Sequence, residues 1–278
     1  MTDDVQRSHM EGKPAAFVAA ADVVLQVHRR RFLAHTQLLS AESPVLAELL
    51  AVHAGAPPKA GELPVVALAE SKDSDALGTR TERRVRTFAA LLDAVYNPAK
   101  RMAASWDLPE LESLASMAHV LQMDALLFLC DEVCARELAK LLLYASAASW
   151  GPTRGKRGGI SSAASAIHGA DTKWCLLGET YGLPRTTSVA LRVALKKVTR
   201  VEWDPYVDAA IVRDFIKSLG APIRDVILDE MVAVAVHPRN DPSIMRSRLD
   251  DALASTDELA VRLRDAMGLG ARQTPSWA

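Results

Sequence analysis

From Asp22 the chain alternates, with Val23, Leu25 and Val27 on one face and Val24 and Gln26 on the other. A two-residue period with β-branched content predicts a strand. The following "HRRR", His28–Arg31, lacks the Gly or Asn that a two-residue hairpin favours, so a turn there is only weakly specified. "AHTQLLSAES" predicts a short helix that ends at Ser43-Pro44. Serine caps a helix and proline suits its first turn, so "SPVLAELLAVH" is a fresh helix rather than a continuation. "AGAPPKAGELP" is a loop by its Gly and Pro content, and "LPVVALAE" is a second strand candidate.

"SKDSDALGTRTERRVR" is polar and reads as an exposed segment. Phe88, Leu91, Leu92, Val95 and Tyr96 then recur at helical spacing until Asn97-Pro98 stops them. Asp107-Leu-Pro-Glu110 has the acid and the Glu three residues on of a capping box. Leu111, Leu114, Ala115, Ala118 and Leu121 form that helix's buried stripe. Asp124 is the expected cap of the next helix, whose inner face is Leu126 or Leu127, Cys130 and Val133, with helical pattern to about Ser149. "GPTRGKRGGISSAAS" is the clearest linker, flexible and basic. Beyond it the pattern is helical throughout: "DTKWCLLGETYGLPRTTSVALRVALKKV" is a helix, a Gly-Leu-Pro break and a helix. "DPSIMRSRLDDALASTDELAVRLRDAMGLG" supplies one or two amphipathic surface helices.

The 278 residues are 49% hydrophobic and 24% charged, enough for a sizeable core and unlike a disordered tail. Aromatics are 5%, and the Ala and Leu content favours helix. A net charge of −1 gives no overall electrostatic case for nucleic acid or an anionic membrane. The local basic runs "HRRR", "RTERRVR" and "RGKR" are offset by acids elsewhere. No apolar run approaches the roughly 20 residues that span a bilayer, and "MTDDVQRSH" is too polar for a secretory leader. Three cysteines do not make a disulfide framework. These features place the chain in the cytoplasm, the nucleus or both.

No carrier of catalysis is visible. Cys130-x-x-x-Cys134 places two thiols on one helical face, short of the four ligands of a closed zinc site, and reads as small buried apolar residues. Cys130 is expected in the core. "GPTRGK" is close to a phosphate loop, but three residues rather than four precede Gly-Lys, and Arg157 stands where Ser or Thr should hold magnesium. The histidines at 9, 28, 35, 53, 119, 168 and 237 show no metal spacing, and no Gly-x-Ser-x-Gly elbow occurs. Glu110 and Glu112 read as a solvated first turn. The expectation is a protein with no cofactor, no metal and no enzymatic activity.

The order of these elements, with particular residues in them, resembles a BTB/POZ domain. The family's Asp-Val-x-Leu, Phe-x-x-His, Leu and Ser-Pro run is matched by Asp22, Val23, Leu25, Phe32, His35, Leu39, Ser43, Pro44 and Leu46. Phe88, Leu91, Leu92 and Tyr96 match its next helix, and Ala118, Leu121, Gln122, Leu126 and Cys130 its Ala-x-x-Leu-Gln and Leu-x-x-x-Cys pattern. The resemblance implies an α+β module, a small sheet capped by helices, over residues 19–139. A helix end and flexible basic linker over 140–170 and an all-α region over 171–278 follow; the latter resembles the BACK region through its Tyr-Gly-Leu helix pair.

It implies further that Asp22 lies in a charged pocket near a dimer interface and that His35 anchors the first helix. Leu50, His53 and Tyr96 would fall on a face that binds a cullin, though each also fits core or loop. The apolar "FVAAADVVL" before and within the first strand should close a homodimer or fold back on its own core. The implied role is a substrate adaptor for a cullin-based E3 ubiquitin ligase, or else an oligomerisation scaffold in transcription or signalling without cullin. Two departures bear on the choice. Thr36 replaces the basic residue that often follows the histidine, leaving Arg29 to Arg31 as substitutes. "HAGAPPKAGELP" also lacks the hydrophobic-x-Glu motif of many cullin binders.

Overall fold

The computed structural model describes residues 5–54, 63–69, 79–97, 106–147, 170–191, 216–221, 223–228 and 256–269. Two compact units divide the chain, one over residues 1–130 and the other over 131–273. In the first unit the elements are β1 (Val5–Gln6), a 3₁₀ turn (Ser8–Met10), α1 (Ala15–Ala19), β2 (Val23–Val27), β3 (Arg30–Ala34), α2 (Thr36–Glu42), α3 (Pro44–Ala54), β4 (Val65–Ala69), α4 (Thr79–Tyr96) and α5 (Leu108–Val120). Helix α6 (Asp124–Ala147) contains the point of division. The fold class is α+β, as the pattern predicted.

The four strands lie in the order β1-β3-β2-β4. β2 and β3 form an antiparallel hairpin closed by Val27 opposite Arg30, so only His28 and Arg29 make the turn. His28 takes φ 53, the left-handed conformation that Gly or Asn more often supplies, and its carbonyl accepts the Gln26 amide at 2.9 Å. β4 runs parallel to β2, reached through α2 and α3, and β1 runs parallel to the far side of β3. As an inner strand β2 is covered on both faces, so Val24 is buried along with Val23, Leu25 and Val27 rather than facing out. Phe32 of β3 meets Phe88 of α4 edge to face, with centroids 5.3 Å apart.

Ser43 explains the break between α2 and α3. Its hydroxyl oxygen accepts the Leu46 amide hydrogen at 3.0 Å while the hydroxyl donates to the Leu121 carbonyl, so a fully buried serine is satisfied. The capping box of α5 is complete: Asp107 accepts from the Glu110 amide at 2.8 Å and Glu110 from the Asp107 amide at 3.2 Å. Leu111, Leu114, Ala115 and Ala118 are buried as the stripe requires. Leu121 is only half-buried, because α5 ends at Val120 and Gln122 turns the chain at φ 51. The amide of Met123 returns to the Ala118 carbonyl and that of Gln122 to His119, a Schellman end with glutamine in place of glycine. Asp124 is then the first residue of α6 rather than its cap.

Two parts of the first unit depart from the pattern. The chain before Ala19 carries β1, the 3₁₀ turn and α1, where the sequence shows no clear period. Helix α4 starts at Thr79, nine residues ahead of Phe88, through a run of arginines. Cys130 is fully buried, and so are Cys134 and Cys175; none of the three is in a disulfide.

The second unit is helical among its described residues. α7 (Ala170–Tyr181) ends at Gly182 (φ 66), and a further helical segment follows at 184–191. The Gly-Leu-Pro break is thus where the sequence puts it, again as a Schellman turn, with the Leu183 amide bonded to the Gly178 carbonyl at 2.7 Å. Gly178 is required by packing: a methyl group there would strike the Thr187 hydroxyl and come within 3.2 Å of the Leu183 carbonyl oxygen. α8 (Thr256–Ala266) buries Leu259, Ala260 and Leu263. The "GPTRGKRGGISSAAS" linker, residues 151–165, lies outside the described residues.

Candidate partner-binding site

Asp22, His35 and Tyr96 are far apart in sequence and meet at one corner of the sheet. β2 opens just after Asp22, β3 ends just before His35, and α4 ends at Tyr96. His35 occupies the N-cap position of α2 but makes no side-chain cap. Asp22 supplies it instead: its exposed carboxylate accepts the Thr36 amide hydrogen at 2.7 Å. The backbone of Thr36 therefore takes over the contact that a following cation would have made.

The imidazole of His35 is spoken for at both nitrogens. Nε2 lies 2.8 Å from the Phe17 carbonyl, and Nδ1 lies 3.0 Å from the Tyr96 hydroxyl. The carbonyl only accepts, so Nε2 carries a hydrogen, and in the neutral ring Nδ1 accepts from the phenol. The phenol oxygen in turn accepts the His35 backbone amide hydrogen at 2.8 Å. One tyrosine thereby fixes both the main chain and the ring tautomer at the start of α2. Burial, the largest influence, pushes the phenol up to about 12; the His35 amide opposes this and the charge of Asp22 adds to it. Tyr96 remains a donor.

A second histidine backs the cluster. His9, from the 3₁₀ turn, is buried edge-on against Tyr96 with centroids 4.8 Å apart. Its Nε2 donates to the Leu33 carbonyl at 2.8 Å, and its own carbonyl accepts the Asn97 amide at 2.9 Å. Burial lowers its pKa, against the raising influence of the Leu33 bond and Asp93, while His35 lowers it further. Outside this layer lies α1. Phe17 rests on His35 at 4.3 Å, and Ala15, Ala16, Phe17 and Ala19 are exposed, so the helix buries no residue completely.

Leu50 and Tyr96, expected on a partner face, are instead core residues at 4% and 3% exposure. Leu50 sits on the inner stripe of α3 with Leu46, and the Tyr96 hydroxyl is committed to His35. Neither offers its side chain to a partner. His53 is half-buried with Nδ1 2.8 Å from the Leu49 carbonyl, one turn back, and its neighbour Val52 is exposed. No local pattern marks His9, since its partners lie on β3 and α4. Phe17 was legible only as the head of an apolar run.

The arrangement is a hydrogen-bonded anchor under an exposed apolar helix. Among the described residues no three His, Cys, Asp or Glu side chains converge to hold a metal ion. No helix among them is long and apolar enough to cross a membrane. The family model of the BTB/POZ domain matches residues 17–138. No curated protein matches the chain.

Proposed function

From the premise that residues 17–138 are a BTB/POZ domain, a protein-interaction module, we propose that the chain is a non-enzymatic adaptor that pairs with a second copy and recruits a cullin scaffold. The mechanism is geometric. An adaptor that holds a substrate beside a ubiquitin ligase raises its effective concentration to the order of millimolar without any chemistry of its own. The family match over 17–138 is the observation that carries this reading.

Pairing is supported by α1, whose apolar residues are exposed on the single chain, and by Asp22, an exposed carboxylate beside it. A second copy packed on α1 would cover both. For cullin, the residues near the end of α3, exposed Val52 and half-buried His53, are the candidates that remain once Leu50 and Tyr96 belong to the core. The helical region over 171–278 serves in this proposal as a BACK-like spacer behind a domain over 19–139 and a linker over 140–170. The cytoplasm and the nucleus are the compartments where such a ligase partner would be met.

A second reading, an oligomerisation scaffold without cullin, is favoured by one observation: the loop after α3 lacks a hydrophobic-x-Glu motif. Affinity purification of the tagged full chain followed by mass spectrometry separates the two. A cullin recovered by the wild type and lost on Val52→Asp supports the adaptor. Recovery of the chain's own copies and other proteins with no cullin supports the scaffold.

A further inference from the structure

Past its first turn α4 becomes cationic: Glu82 is the acid of that turn, and Arg83, Arg84 and Arg86 follow it in "RTERRVR". Arg83 and Arg86 are three apart, a spacing at which like charges on a helix repel.

Packing within the unit does not repay this. Arg84 stands one turn before Phe88, in register with the stripe of Phe88, Leu91, Leu92 and Val95 that is buried throughout. Arg84 is exposed, as are Glu82, Arg83 and Arg86. The helix therefore runs out past its core, and the face that should be apolar turns cationic where the core ends. One tether is visible: the Arg83 guanidinium donates to the Pro109 carbonyl at 2.9 Å. The acids beside Pro109 are engaged with each other, Asp107 and Glu110 closing their capping box. Among the described residues Arg84 and Arg86 form no ion pair and no side-chain hydrogen bond.

We propose that the exposed arginine face of α4, centred on Arg83, Arg84 and Arg86, is a docking surface for an acidic peptide segment of a partner protein. Guanidinium forks suit carboxylates, which they bind in pairs of parallel hydrogen bonds. An acidic partner offsets this mutual repulsion. A polypeptide rather than a nucleic acid fits a protein-interaction domain in a chain of net charge −1. The surface uses none of the residues of α1 or of the end of α3, so it adds a second kind of partner to the adaptor reading and does not depend on cullin.

The test uses the full chain and fluorescence anisotropy, with a short fluorescein-labelled peptide of alternating glutamate and serine as probe. A lysine–serine peptide and a labelled DNA duplex are the comparison probes. Arg84→Glu/Arg86→Glu should weaken glutamate-peptide binding by about tenfold or more, while thermal unfolding and recovery of the chain's own copies stay unchanged. Arg29→Gln/Arg30→Gln, at the hairpin, should leave it unaltered. Equal affinity of wild type and the α4 variant would overturn the proposal, as would tighter binding of the duplex through the same arginines. Binding seen only after Glu70, Asp73 and Asp75 are neutralised would overturn it too, in favour of the chain's own preceding segment.

Discussion

Asp22 and Asp131 do one job in two settings. Each is a carboxylate from a distant element that receives the free amides at a helix N-terminus, where the helix cannot satisfy them itself. Asp22 takes the Thr36 amide of α2 from an exposed position. Asp131, on α6, takes the Arg185 and Thr186 amides at 3.1 and 2.7 Å at the head of the 184–191 segment and is buried. Arg185 also pairs with Glu132. Burial raises the Asp131 pKa in spite of the amide bonds, the Thr186 hydroxyl and the Arg185 charge, all of which act the other way. The buried cap is thus a fixed joint that resists charge. The exposed cap is cheaper to lose, and under the proposed pairing it lies on the face that a second copy would cover. The contrast sets a cap that serves the fold alone beside one that the proposal also gives to an interface.

Removing the buried cap should have the largest effect. Asp131→Ala strips the acceptor from two amides and should cost about 3 kcal/mol, seen in urea denaturation followed by circular dichroism. Asp131→Asn keeps one acceptor oxygen and should cost only about 1 kcal/mol. Its pH behaviour has a definite sign. The folded protein binds this proton more tightly than the unfolded chain, so the group favours folding below about 3.8 and the advantage is lost as pH rises through the raised folded value. The asparagine variant should lack that acid-range slope.

Tyr96→Phe comes next. It leaves the His35 amide without its acceptor and the ring without its donor, at about 1–2 kcal/mol. Asp22→Ala should cost less, about 0.5–1 kcal/mol, since water can replace an exposed cap. An Asp22 variant as costly as Asp131→Ala would erase the contrast between the two joints.

His9 tests the inner layer of the first unit by acid alone. Its folded pKa lies below 6.5, so on acidification the unfolded chain takes up the proton first. Stability should therefore fall as pH drops from 6.5 through the folded value, with no contribution from this group at higher pH. His9→Phe should flatten that slope, as measured by melting temperature across the range.

What could be read in advance was local. The strand β2, the Ser43-Pro44 break, the Asp107–Glu110 box and the Gly182-Leu183-Pro184 stop each rest on a few adjacent residues, and each forms as expected. The helical stripe already put Tyr96 in the core, and the structure sides with that reading over a partner-facing one. The misses are contacts made at a distance. His9 and Met10 are buried by β3 and α4, not by any period of their own. Asp131 inside "LCDEVC" has the sequence look of a solvated acid, and only the 184–191 segment gives it a role. The arginines hid the start of α4 because their polarity is that of a loop.

Sedimentation velocity of the full chain at micromolar concentration tests most directly whether the exposed corner of the first unit is an interaction face. A dimer of twice the 30.0 kDa chain mass is expected. Phe17→Asp should reduce it to monomer and Asp22→Ala should weaken it, while Asp131→Asn leaves it intact. A wild type that stays a 30.0 kDa monomer across that range would contradict the account.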